Sequence, residues 1–227
     1  MEKTFIFAGF GGQGMLLIGK FVAMACMLDG KHVSWLPSYG PEMRGGTANC
    51  SVIVSDDPVA SPLVDKADVI VAMNRPSLDK FEAHVKPGGV LVINSSIIDR
   101  KAVRDDITVV YCDANGIAES IGNPKGANVA ILGATLAKAP VTSVESMMEA
   151  IRIELGEKKA RFLEGNKKAC WPAWKPLSKS FIHSYIILAP GIRMVAGGFL
   201  LFTTIFTEWF IKKKRPVKKV SFTEKNY

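Results

Sequence analysis

Short apolar runs alternate with stretches of helical spacing along the first two thirds of the chain. Thr4–Ala8 is apolar and ends at glycines, which is typical of a buried strand. Gly11–Met27 carries apolar residues at helical spacing and predicts a helix that Gly30 ends. The other predicted strands are His32–Pro37, Thr47–Ser55, Asp68–Met73, Gly89–Ser95 and Ile107–Cys112.

Helical segments separate the later strands. One is predicted at Pro76–Val85, and residues 114–165 favour two or three helices with breaks near Gly122–Gly126 and Ala139–Thr142. Strands that alternate with helices usually pair in parallel. We therefore predict an α/β fold, a doubly wound and mostly parallel sheet with flanking helices.

The composition changes after residue 168. We predict a domain over residues 1–168, a linker over 169–180 and an apolar and basic extension over 181–227. Met194–Thr207 is uncharged but has only 14 residues, whereas a membrane span needs about 20. Three alternatives stay open for this extension: attachment to the inner membrane through residues 181–215, a buried interface with a partner subunit, or a non-native tail.

Charge and cysteine usage exclude several function classes. The net charge is +8, but residues 1–166 carry −2 and the tail carries the whole basic excess, so the main domain is not expected to bind nucleic acid. The four cysteines are far apart and form no C-x-x-C pair, so neither an iron–sulfur cluster nor another metal site is predicted. We expect buried, reduced thiols in a cytoplasmic protein, and no secretory leader is discernible.

A glycine-rich turn, Gly9-Phe10-Gly11-Gly12-Gln13-Gly14, follows the first strand and opens the first helix. The first glycine is expected to permit the turn, the second to let backbone approach a ligand, and the third to let helix and strand pack closely. A helix N-terminus suits a phosphate, and Gln13 adds an amide donor. A tight joint that packs on a neighbouring chain is the alternative. A classical dinucleotide site is disfavoured, because no acid follows the second strand.

A second loop, Ser38-Tyr39-Gly40-Pro41-Glu42-Met43-Arg44-Gly45-Gly46, follows the strand that we expect next to the glycine turn. It should lie at the carboxyl edge of the sheet, where open α/β folds bind ligands. Arg44 offers a planar fork for phosphate, and Tyr39 offers a stacking face. An ordered interface loop in which Arg44 pairs with Glu42 or a partner chain is the alternative.

No catalytic residue is predicted in this chain. His32, His84 and His183 lie in separate segments, and no pair of carboxylates suggests general acid–base chemistry. Asn74 either lines the ligand edge or caps the next helix. The predicted binding residues are Gly9, Gly11, Gly12, Gln13, Gly14, Ser38, Tyr39, Gly40, Arg44, Gly45, Gly46 and Asn74.

Together the two loops resemble the gamma subunit of the 2-oxoacid:ferredoxin oxidoreductases, in the 2-oxoglutarate and 2-oxoisovalerate branches. The resemblance rests on the glycine turn and on Pro37 through Cys50, and it covers roughly residues 3–165. Further agreement comes from the runs 61–62, 72–77, 86–89, 94–96 and 128–133.

The resemblance implies a non-catalytic subunit in a complex that oxidatively decarboxylates a 2-oxoacid to acyl-CoA. Thiamine diphosphate and iron–sulfur clusters would be held by alpha, beta and ferredoxin-like partner subunits, with ferredoxin as electron acceptor. Coenzyme A would be the co-substrate near this chain. The alternative is a stand-alone nucleotide-binding module, tethered to a membrane by its tail.

Overall fold

The computed structural model describes residues 1–38 and 47–155. They include six strands: β1 (Glu2–Phe10), β2 (His32–Ser38), β3 (Thr47–Ser55), β4 (Ala67–Ala72), β5 (Val85–Asn94) and β6 (Thr108–Cys112). These form one sheet with the strand order β2-β3-β1-β4-β5-β6.

The sheet is parallel over four strands and antiparallel at one side. β1, β4, β5 and β6 pair in parallel, while β3 runs antiparallel to both β1 and β2. The connection between β2 and β3 is too short for a crossover helix, so these two strands form a hairpin. The predicted mostly parallel α/β class is confirmed, but β3, not β2, is the strand next to β1.

Helices cover the sheet unequally. They are α1 (Met15–Leu28), α2 (Arg75–Phe81), α3 (Ala114–Ser120), α4 (Ala127–Lys138) and α5 (Val144–Leu155). One face of the sheet packs against α1, α3, α4 and α5, and the other carries α2 with the loop residue Ile98. The helix predicted at Pro76–Val85 is shorter than expected, because a 3₁₀ turn at Glu82–His84 follows it.

α1 is buried on more than the one face that its spacing predicts. The predicted face is buried except at Leu16, which is half-buried. Its other residues are Met15, Gly19, Val22, Ala23 and Cys26. Ile18, Phe21 and Ala25 are fully buried as well, because α5 packs against α1. Gly30 ends the helix as predicted: its φ is 81°, and Lys31 N–H donates to Cys26 O at 3.0 Å, a Schellman-type stop.

The predicted linker, the apolar extension and the basic tail lie outside the described residues, as does loop 39–46. Within residues 1–38 and 47–155 no helix is both long and apolar enough to cross a membrane.

Candidate functional site

The glycine turn lies at the carboxyl end of β1, at the edge where β4, β5 and β6 also end. The turn closes through Gln13 N–H, which donates to Phe10 O at 3.1 Å. Gly12 and Gly14 have φ values of 95° and 75°, a region that other residues rarely adopt. α1 then begins at Met15 with no side-chain cap and no acid in its first turn. Among the described residues, no side chain accepts a hydrogen bond from its first N–H groups.

Two of the three motif glycines have packing neighbours that the motif alone did not predict. Gly9 lies within β1, and a Cβ there would come within 2.8 Å of Gln13 Oε1 and of Met15 Cγ, so close packing requires this glycine. Gly11 is exposed, and its expected role, to let the backbone approach a ligand, stays a prediction. Gly14 was expected to allow helix–strand packing, but its close neighbour is Asn128 of α4, whose side-chain nitrogen would lie 2.3 Å from a Cβ.

Gln13 and Asn74 join the turn to the start of α2. Gln13 Oε1 accepts from Phe10 N–H at 2.7 Å and from Asn74 Nδ2 at 3.1 Å. Asn74 is 1% exposed, and its Oδ1 accepts from Ser77 N–H at 2.9 Å, which caps α2. Of the two alternatives for Asn74, the structure shows the helix cap, and it adds a hydrogen bond that holds a side chain of the turn.

A second polar centre, at the end of β5, was not among the predicted binding residues. Asn94 is fully buried, and its Oδ1 accepts from Ser96 N–H at 3.2 Å and Ala114 N–H at 3.3 Å. Its Nδ2 donates to Asn115 Oδ1 at 3.0 Å and to Met73 Sδ at 3.4 Å. The sequence signal was present, because a polar run directly follows an apolar strand, but only the sheet order shows that it adjoins β4.

Asp113 caps α3 beside this centre. Ser96 Oγ donates to Asp113 Oδ1, and Gly116 N–H donates to the same oxygen at 3.0 Å. These two hydrogen bonds lower the pKa of the Asp113 carboxyl. The edge therefore carries a line of ordered polar side chains from β1 to β6.

Loop 39–46 lies outside the described residues, but both of its flanking residues are at this edge. Ser38 ends β2, and Thr47 begins β3. Thr47 pairs with Phe10 of the glycine turn. It is therefore β3, and not β2, that brings the end of loop 39–46 beside the glycine turn. For Tyr39, Gly40, Arg44, Gly45 and Gly46 the binding role remains a prediction.

The described cysteines and histidines lie away from this edge or are buried in the core. Cys26, Cys50 and Cys112 are buried free thiols, as predicted, and burial raises their pKa values to about 12, 12 and 11. His32 is exposed, and His84 packs edge-on to Phe81 with a 5.9 Å centroid separation. Within residues 1–38 and 47–155 no three His, Cys, Asp or Glu side chains converge as metal ligands would.

A shallow cavity of about 310 Å³ lies at the other end of the sheet. It adjoins the start of β2, where His32 pairs with Ser55. None of the predicted binding residues lines it. Its lining residues are His32, Val33, Ser34, Pro58, Val59 and Pro62.

Comparison with known proteins decides the family. The family model described as pyruvate ferredoxin/flavodoxin oxidoreductase matches residues 4–173. The chain belongs to this family. It is 36% identical over 154 residues to the 2-oxoglutarate synthase subunit KorC of Methanocaldococcus jannaschii, covering 66% of this chain and 82% of that protein.

Two further relatives place the family domain in proteins of different length. The chain is 41% identical over 153 residues to the ketoisovalerate oxidoreductase subunit VorA of Methanothermobacter marburgensis, covering 66% of this chain but only about a third, 32%, of that protein. Among solved structures, the keto/oxoacid ferredoxin oxidoreductase gamma subunit of Geobacter sulfurreducens PCA matches with a TM-score of 0.67 and 31% identity. That match covers 78% of this chain and 99% of the other. The predicted resemblance to a gamma subunit is confirmed.

Proposed function

We propose that this chain is the non-catalytic gamma-type subunit of a 2-oxoacid:ferredoxin oxidoreductase complex. The complex would oxidatively decarboxylate 2-oxoglutarate or a branched-chain 2-oxoacid to acyl-CoA. Family membership and the relatives named as KorC and as a gamma subunit support this proposal. The partners would be alpha, beta and ferredoxin-like subunits, with ferredoxin as the external electron acceptor.

The redox and decarboxylation chemistry is assigned to those partners. Cys26, Cys50 and Cys112 are buried in the core, and among the described residues no three His, Cys, Asp or Glu side chains converge as cluster ligands would. Iron–sulfur clusters would therefore be held by other subunits, and the same is proposed for thiamine diphosphate. What the described part of this chain offers at the edge is a set of amide, hydroxyl and carboxylate side chains.

A contribution to coenzyme A binding is the role that this edge supports best. The observation that carries it is the pairing of Phe10 with Thr47, which brings the glycine turn and both ends of loop 39–46 to one edge. Coenzyme A carries phosphates, and the uncapped N-terminus of α1 is suited to an anion. Arg44, in the neighbouring loop, supplies the only formal positive charge between Ser38 and Thr47.

The strand order also weighs against the alternative of a nicotinamide or flavin dinucleotide module. In such a module, an acid at the end of a strand beside β1 holds the ribose. Here one neighbour of β1 is β3, which runs the other way and begins at Thr47. The other is β4, which is followed by Met73 and Asn74. Neither neighbour supplies an acid at this edge.

Reconstitution with the partner subunits tests the proposal. We expect Arg44→Ala to raise KM for coenzyme A about tenfold or more, since a hydrogen bond to a charged group contributes roughly 1.5–3 kcal/mol, while KM for the 2-oxoacid stays the same. Arg75→Ala is a matched control, because Arg75 is exposed on α2 and pairs with Asp79 and Asp99. An unchanged KM for coenzyme A in the Arg44 variant would remove the role of this residue.

A screen over 2-oxoacids with the same complex would name the substrate. Calorimetric titration of the complex with NAD, FAD and coenzyme A separates the subunit role from the dinucleotide module. The proposal expects no tight binding of NAD or FAD, and tight binding of either would overturn it.

A further inference from the structure

The side chains of Gln13 and Asn74 form a relay whose direction is fixed at both ends. At one end, Phe10 N–H can only donate, so the Gln13 atom 2.7 Å away must be the carboxamide oxygen. At the other end, Ser77 N–H can only donate, so the Asn74 atom 2.9 Å away must also be the oxygen. Asn74 therefore presents its NH₂ group to Gln13, which accepts at 3.1 Å.

This arrangement leaves one group of the relay facing outward. Gln13 Oε1 accepts from both Phe10 N–H and Asn74 Nδ2, so the Nε2 amide of Gln13 points away from these two donors. Gln13 is half-buried, and its amide nitrogen has no hydrogen-bond partner in the part of the chain that the structure describes. Asn74 is 1% exposed and cannot itself contact a ligand at the edge.

Gly9 provides the space for the relay. A Cβ at this position would lie 2.8 Å from Gln13 Oε1 and 3.1 Å from Met73 Cβ. Any residue other than glycine at position 9 would therefore displace the carboxamide of Gln13. The first glycine of the motif, a buried asparagine sixty-five residues later, and the turn glutamine act as one unit.

We infer that Asn74 is a positioning residue: together with Phe10 N–H it holds the Gln13 carboxamide in the orientation in which its NH₂ group donates to a phosphate of the bound ligand. The inference rests on the proposed coenzyme A role of this edge. It changes the assignment of Asn74 from a predicted contact residue to a residue that acts through Gln13. Recognition of the anion would then depend on a donor whose direction is set before the ligand arrives.

Asn74→Asp is the informative substitution. Aspartate keeps an oxygen for Ser77 N–H and remains a good helix cap, but it replaces the NH₂ group with a second oxygen facing Gln13 Oε1. Neither orientation of the Gln13 carboxamide then satisfies both neighbours, because its oxygen would face an aspartate oxygen and its NH₂ group, if turned inward, would face Phe10 N–H. The direction of the NH₂ group toward the ligand is therefore no longer fixed. We expect KM for coenzyme A in the reconstituted complex to rise about tenfold, with KM for the 2-oxoacid unchanged.

A double-mutant cycle with Gln13→Ala separates positioning from a direct effect of the new charge. If Asn74 acts through Gln13, adding Asn74→Asp to Gln13→Ala leaves KM for coenzyme A at the value of the single Gln13 variant. Asn115→Asp is the charge control, because Asn115 lies at the same edge and its accepting oxygen is retained by aspartate. This control should leave KM for coenzyme A within about twofold of the wild type.

Each outcome has a distinct meaning. If Asn74→Asp raises KM for coenzyme A equally in the wild type and in Gln13→Ala, the effect is one of direct charge and the inference is overturned. An unaltered KM for coenzyme A in Asn74→Asp, beside a raised one in Gln13→Ala, would leave Asn74 as a helix cap alone and overturn only the inference. An unaltered KM in Gln13→Ala would overturn both the inference and the part of the glycine turn in the proposed function.

Discussion

Asn128 closes over Gly14 so tightly that a Cβ on the glycine would lie 2.3 Å from the asparagine side-chain nitrogen. Gly14 also has a φ of 75°, whereas Gly12, with a φ of 95°, has no atom of the described residues within 4 Å of its Cβ position. Alanine at either position incurs a backbone strain of about 1–2 kcal/mol, and only at Gly14 does it also displace a packed side chain.

We therefore predict that Gly14→Ala lowers the free energy of unfolding by at least about 1 kcal/mol more than Gly12→Ala does. Urea unfolding of the two variants and of Gly14→Ala/Asn128→Ala measures the difference. The double variant should recover the excess loss. Equal losses in the two single variants would mean that Asn128 moves aside without cost.

Gly19 allows α1 to approach β3 closely. A Cβ on Gly19 would lie 2.5 Å from Cys50 Sγ and 3.2 Å from Trp35 Nε1. Gly19→Ala should destabilise the fold by about 1–3 kcal/mol through overpacking, in spite of a gain in helix propensity of about 1 kcal/mol. Cys50→Ala should suppress much of this loss, whereas Cys112→Ala, in a strand distant in the sheet order, should simply add its own effect. If the stability losses of Gly19→Ala and Cys50→Ala simply add, the contact between Gly19 and Cys50 does not limit the packing.

Asn94 makes four hydrogen bonds: two connect β5 to α3, one reaches Met73 directly after β4, and one is local, from Ser96 N–H. Asn94→Leu leaves the N–H groups of Ser96 and Ala114 without their acceptor, so we expect a loss of about 2–4 kcal/mol in the free energy of unfolding. Asn115→Leu is the comparison, because Asn115 is half-buried and loses only one of these bonds. It should lose about 1 kcal/mol or less. A larger loss in the Asn115 variant would contradict the central position of Asn94.

Asp68 joins the amino ends of β1, β4 and β5. Although burial alone would raise its pKa, the hydrogen bonds from Thr4 N–H and Oγ, at 2.8 and 2.7 Å, and from Lys86 Nζ, at 3.0 Å, lower it. A carboxyl with a lowered folded-state pKa stabilises the fold above its unfolded-state value, near 3.9, and this stabilisation is lost as the pH falls through the folded-state pKa.

We thus predict that Asp68→Asn is less stable than the wild type at pH 7 and that the difference shrinks as the pH falls below about 4. Solvent screening keeps the ionic part of the effect to about 1 kcal/mol. Unfolding curves between pH 3 and pH 7, with Lys86→Met as the variant that loses only one donor, provide the measurement. A difference that does not depend on pH would exclude the ionised carboxylate as its source.

The buried thiols should resist alkylation in the native protein. With pKa values of about 12, 12 and 11, Cys26, Cys50 and Cys112 have a thiolate fraction at pH 8 on the order of one in a thousand or less. Peptide mapping after iodoacetamide treatment should show these three modified only in guanidinium chloride. Rapid native labelling of any of them would contradict its burial.

The positions of the elements followed closely from local patterns, because strand and helix periodicity is a local property of the chain. The breaks expected near Gly122–Gly126 and Ala139–Thr142 separate α3, α4 and α5, and Gly30 ends α1. Which strands pair with each other was harder to predict from the sequence. The hairpin of β2 and β3 places β3 beside β1, which strand–helix alternation alone did not predict, because the partner of a strand is chosen by long-range packing.

By itself the sequence determined the family, the α/β class and the two loop motifs, because these depend on residue types at fixed local spacing. Only the tertiary structure decided what individual residues do there. Gly9 faces Gln13 and Met73, Gly14 faces Asn128, and Asn74 holds Gln13. Each of these relations except the one between Gly9 and Gln13 joins residues more than fifty positions apart, and such contacts arise only when the sheet and its helices have packed.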